Sequence, residues 1–175
     1  MEVKPPEHQP APGPSLPEPG ESALVAAARI RVDPAGVPQD LSALLFALLV
    51  RPWTSLAIVS PEDPERAWRL SEKLAKAAQQ SHYPSLKAVN LLDLSSERAS
   101  RSARTISKLN ALGDRKRFMI ALTDPVENPI TVRVLAVCES ALLVLERGRS
   151  RVPDVRRTVE LIGHQRLMGA VLCSG

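Results

Sequence analysis

Aromatic residues are scarce in this sequence: two Trp, two Phe and one Tyr make up 3% of its 175 residues. A core must therefore rest on Leu, Val, Ile and Ala, and rings for stacking nucleic-acid bases are in short supply. Cysteine is equally rare. Cys138 and Cys173 form no CxxC pair and lie in apolar surroundings, so two buried free thiols in a reducing compartment are expected. His8, His82 and His164 share no ligand spacing with one another or with either Cys, which argues against a zinc site. Ser60, Ser71 and Ser174 have no glycine elbow or nearby His to make a nucleophile. Long apolar runs are missing too. The longest, Leu41 to Val50, falls far short of the ~20 residues that cross a membrane. The opening MEVKPPEHQP has no basic-then-apolar leader, so a cytoplasmic location is expected.

What is present divides the chain in two. Residues 1–37 are dominated at first by Pro, Glu and Gly, and then by a short Ala-rich patch from Ser22 to Arg29. That composition has little to bury and predicts a disordered tail, with residues 38–175 as the folded domain. The formal charge of +4 is modest and excludes little.

From Pro38 onward, apolar runs alternate with amphipathic segments. Gln39 or Asp40 is expected to cap a helix that runs through Val50 and stops at Pro52. Strands are predicted at 55–60, 88–92, 118–123, 141–145 and 167–172. Helices are predicted at 66–80, at 99–112 with Gly113 as its stop, at 128–138 and at 153–163. Strands that read as continuous apolar runs are buried on both faces, and helical crossovers make such a sheet parallel. The expected fold is a single α/β domain with about five mainly parallel strands flanked by helices.

The last forty residues carry a more specific pattern. Ser140-Ala-Leu-Leu-Val-Leu-Glu-Arg-Gly-Arg-Ser-Arg151, Asp154-Val-Arg-Arg157, Leu161 and Leu167-Met-Gly-Ala-Val-Leu172 follow in order. This resembles the end of the bacterial tyrosine kinases of capsule and exopolysaccharide synthesis, in the P-loop partitioning-ATPase class. That family reads "hLLVhRxGxT", then "DVRRAhxxL", then "hxGhVLN". The likeness extends upstream to about Asp40, with a shortened stretch between the second and third strands. It implies a P-loop NTPase-like fold.

The phosphate-handling positions of that family are replaced here. A Walker A loop needs glycines that let backbone N–H groups surround phosphates, a Lys, and a Ser or Thr for Mg²⁺. The same turn reads Ser60-Pro61-Glu62-Asp63-Pro64-Glu65-Arg66-Ala67-Trp68, with no glycine and two prolines. Ala67 takes the Lys place and Trp68 the hydroxyl place; a one-residue slip puts Arg66 at the Lys. Like charges at contact distance cost of order ~4 kcal/mol at an effective dielectric of 20, so Glu62, Asp63 and Glu65 oppose a phosphate. The same residues make an ordinary helix start, with Asp63 as N-cap and Pro64 at the first position. Of the acidic pair that ends the family's next strand, only Asp93 is present. Leu122 stands in the Walker B acid position; Asp124 is displaced and, by strand-end alternation, is expected to point elsewhere.

The resemblance therefore implies a protein without kinase or ATPase chemistry, cofactor or metal. Its one tyrosine is Tyr83, and the family's Glu-x-x-Arg-x-Arg assembly helix is replaced by the apolar 40–50 segment. The partner it implies is the cytoplasmic part of an inner-membrane polysaccharide co-polymerase or export protein, or an active homologous kinase. Arg147, Arg149, Arg151, Arg156 and Arg157 are the candidate docking surface. Two alternatives stay open: a weak nucleotide hydrolase using Arg66, Asp93 and Asp124, and an adaptor that binds nucleic acid through the basic 98–117 stretch. For that stretch, the solvated face of a packed helix is the preferred reading.

Overall fold

The computed structural model describes residues 38–173 apart from 82, 84, 114 and 115. The expected disorder of residues 1–37 lies outside the described residues. Strands β1 (Ser55–Val59), β2 (Leu86–Leu91), β3 (Arg117–Leu122), β4 (Ser140–Glu146) and β5 (Leu167–Cys173) form one sheet, in the order β2-β3-β1-β4-β5. Every pairing is parallel. Helices α1 (Pro38–Leu49), α2 (Pro64–Gln80), α3 (Ser96–Leu112), α4 (Val132–Leu135) and α5 (Val152–Ile162) cover it. The expected α/β class with five parallel strands is what the chain adopts.

The helices divide between the faces by strand alternation. Leu56, Ile58, Met119, Ala121, Leu142 and Val144 pack against α1 and α2. Ala57, Val59, Ile120, Leu122, Ala141 and Leu143 pack against α3, α4 and α5. Successive strand residues point to opposite faces, so an all-apolar strand such as β1 serves both layers at once. Parallel connections share one hand, so a connection running the other way along the sheet uses the other face. The α2 connection runs from β1 past β3 to β2, and the later ones run back toward β5 on the far face. The reversal falls at β1. In open α/β sheets such a point, at the carboxyl ends of the strands, is where ligands sit.

Three local expectations are corrected. The first helix begins at Pro38, so Gln39 and Asp40 lie within it rather than before it; proline suits a first helical position because its missing N–H has no partner there. The segment 128–138 is not one helix. The Asn128 side chain accepts from Ile130 N–H (3.2 Å) to start a 3-10 turn, Pro129–Thr131, and only Val132–Leu135 is α-helical. β-branched residues lose rotamer freedom in a helix, which weakens one so rich in valine. Strand β2 begins two residues earlier than its sequence pattern predicts, at Leu86.

Helix α1 is half-buried. Leu41, Leu44, Leu45 and Leu48 face the core, while Phe46 is 72% exposed and Val50 67%. Its end is held by Trp53, whose indole N–H donates to Leu48 O (2.7 Å), and by Arg117, which donates to Leu49 O (3.2 Å). The Arg117 guanidinium lies 5.1 Å from the centroid of the Trp53 ring, within cation–π range. A single cation thus satisfies an otherwise orphaned helix carbonyl and covers the buried indole. Leu74 on α2 is fully buried and Phe46 is not. Leu74→Ala should lower unfolding free energy by about 2–5 kcal/mol. Phe46→Ala should change it by about 0.5 kcal/mol or less, both measured by urea titration of the same chain.

Candidate functional site

The carboxyl ends of β1, β3 and β4 meet at the reversal point, and the turn after β1 closes it. Ser60 and Pro61 are buried, and Ala67 is buried against the sheet. Trp68 packs beside the α1–α2 core. Asp63 is the N-cap of α2: its backbone is extended and its Oδ1 accepts from Glu65 N–H (3.1 Å), with Pro64 following. The helix start expected from the sequence is therefore present. Helix N-termini attract anions because their first N–H groups have no partners and the dipole is positive there. In this protein the anion is Asp63.

Arg66 is bound on both sides. Its Nε donates to Asp63 Oδ2 (3.2 Å) and its terminal nitrogen donates to Glu146 Oε1 (2.9 Å). Arg69 adds a second bond to Asp63 Oδ2 (2.8 Å), and Arg149 lies 3.2 Å from Glu146 Oε2. Glu146 is only 5% exposed. It ends β4, in the place where the family pattern reads Arg. The cluster thus joins the start of α2 to the end of β4. Glu62 contributes a buried Oε2 that has no hydrogen bond among the described residues.

The remaining acidic positions do not converge on this cluster. Leu122 is fully buried in the far-face core. Asp93 is exposed, and its backbone carbonyl accepts from Arg98 (2.9 Å). Asp124 is 4% exposed and accepts from the Thr158 hydroxyl (2.9 Å) and from Val126 N–H (3.3 Å). Alternation is not what turns it aside. It lies two residues beyond Leu122, so both share a side, and the bond to α5 fixes its direction. Burial pushes the Asp124 carboxyl above the usual carboxylate range, and Asp154 adds to the effect; the bonds from Thr158 and Val126 act the other way. Thr123 donates to Leu92 O (2.7 Å) and ties β3 to the end of β2.

The fold itself has a solved counterpart. The chain matches the chimerical protein CapA2B2 with a TM-score of 0.57, over 77% of this chain and 81% of that one, at 12% identity. At that identity the likeness establishes the shared fold. No family model and no curated protein matches this chain.

Within the fold shared with CapA2B2, the five arginines singled out from sequence gather after β4. All five are exposed, with Arg149 also engaged by Glu146. The thiols do not join the site as nucleophiles: burial pushes Cys138 up to about 12 and raises Cys173 as well. Among the described residues, no three His, Cys, Asp or Glu side chains are grouped so as to hold a metal ion. Sequence reading missed Glu146, which is 80 residues from its partner Arg66. The one available signal was an acid in a position where the resembled pattern carries a base.

Two substitutions probe these groups. Removing one partner of a largely buried ion pair strands the other, so Glu146→Ala should cost about 1–3 kcal/mol in chemical denaturation. Arg69→Ala, at the exposed end of the cluster, should cost about 1 kcal/mol or less. For Asp124 the folded state holds the proton more tightly than the unfolded chain. Its ionisation therefore costs stability as pH rises through the folded pKa, a cost absent below the ordinary carboxylate value. Asp124→Asn keeps the acceptor for Thr158. It should melt above the unsubstituted protein at neutral pH, with the difference shrinking below about pH 4.

Proposed function

We propose that this chain is a non-catalytic relative of the bacterial tyrosine kinases of capsule and exopolysaccharide synthesis, working by binding rather than by turnover. Its partner in this reading is the cytoplasmic part of an inner-membrane polysaccharide co-polymerase or export protein, or an active homologous kinase. It would reside in the cytoplasm, held near the membrane by that partner. The exposed Arg147, Arg151, Arg156 and Arg157 offer it a docking surface for an acidic segment.

The observation that carries this reading is the state of Arg66. A phosphate-binding cation must be available to its ligand, and this one lies between Asp63 and Glu146. A triphosphate would have to displace an N-cap carboxylate from α2 and compete with a buried one at β4. No glycine N–H groups are present in the turn to repay that cost. The C-terminal motif and the fold shared with CapA2B2 supply the family setting.

The hydrolase alternative needs Arg66, Asp93 and Asp124 to act together. Arg66 is paired and Asp124 is bound to α5, so the geometry favours the binding role. Titration calorimetry with ATP and Mg²⁺ is expected to give no binding heat at concentrations up to about 1 mM. A dissociation constant in the micromolar range would overturn the proposal.

A further inference from the structure

The opposite end of the sheet has a different character. There α1 runs into β1, α2 into β2 and α3 into β3, and each connection leaves a large apolar side chain in water. Val50 is 67% exposed, Tyr83 52% and Leu112 74%. Tyr83 lines one open cleft of about 680 Å³ with Leu49 and Gly113, the chain neighbours of Val50 and Leu112. Phe46 lies one turn before Val50, whose N–H donates to Phe46 O (3.1 Å). None of the four packs into either core cluster.

Cations neighbour these side chains along the chain. Arg51 follows Val50, and Lys87 adjoins the cleft residue Leu86. Lys108 lies one turn before Leu112, on the same side of α3; all three are exposed. Among the described residues of the five helix-to-strand connections, Glu139 is the one acid, and its carboxylate accepts a bond from Thr54 N–H. Apolar side chains beside lysine and arginine match a bilayer surface, with hydrocarbon beneath a layer of anionic headgroups. Such a pattern is costly in water, and these side chains belong to neither core cluster of the described residues.

We propose that this amino-end edge of the sheet docks on an anionic lipid bilayer. Val50, Tyr83, Leu112 and Phe46 enter the headgroup layer, while Arg51, Lys87 and Lys108 meet the lipid phosphates. The docking is independent of nucleotide and of the reading proposed above, since the ion-paired cluster lies at the other end of the strands.

Sedimentation with vesicles tests it, using the full chain and phosphatidylcholine vesicles with or without phosphatidylglycerol. Binding is expected with the anionic vesicles alone, weakening as salt is raised. The double variant Val50→Glu/Leu112→Glu and the double variant Arg51→Glu/Lys108→Glu should each cut partitioning by about tenfold or more. All four positions are exposed, and an unchanged thermal midpoint confirms that each variant folds. No sedimentation at low salt overturns the proposal, as does binding that survives both variants. Self-association in sedimentation velocity that Val50→Glu/Leu112→Glu abolishes, with no vesicle binding, assigns the edge to a second copy and also overturns it.

Discussion

Every choice at the carboxyl end of this sheet follows from the positive end of α2, which needs a negative partner. A helix that leaves a central strand points its free N–H groups at the space beyond the sheet, and that field must be met by something. Asp63 meets it from within the chain. Once a carboxylate is fixed there, Arg66 and Arg69 balance it, and Glu146 then becomes tolerable in a nearly dry position because Arg66 reaches across to it. Arg66 ties the partly exposed Asp63 to the nearly buried Glu146. Such pairing is the usual condition on ions near a low-dielectric interior.

That arrangement also locks the architecture. The Arg66–Glu146 bond spans from α2 to the end of β4, and β4 is the strand beside β1. The contact therefore fixes how α2 rises from the sheet. On the other face, the Asp124–Thr158 bond does the same between β3 and α5. The domain uses two buried carboxylates as ties between layers.

Much of this was legible in sequence, and the divide between what was and was not is physical. Continuous apolar runs such as 55–59 and 141–145 can satisfy both faces of a buried parallel strand, so their state is written locally. The Asp63-Pro64-Glu65 start is local as well. Segment 128–138 misled because its apolar spacing is helical while proline and valines restrict the backbone, and only four residues complete an α-helix. Glu146, Thr158 and the Trp53–Arg117 pair were hidden because their partners are distant in the chain and become neighbours only once the strand order is known. Charge signs in a sequence do not say which pairs will close. Exposure was hidden for a related reason: the 41–50 run is apolar on all sides, and only packing shows which half of α1 remains in water.

The two ends of the sheet then pose opposite problems. At the carboxyl end, Asp63, Arg66 and Glu146 are matched with one another, and exposed arginines follow β4. At the amino end, Arg117 and Trp53 complete the fold beneath the cleft, and Val50, Tyr83 and Leu112 stand outside it. Polar residues in those three places would leave every contact in the core intact. A fold under pressure only to be stable and soluble has no use for them. Their exposure, beside Arg51 and Lys108, is what the proposed bilayer contact rests on, at the end of the sheet opposite the ion-paired cluster.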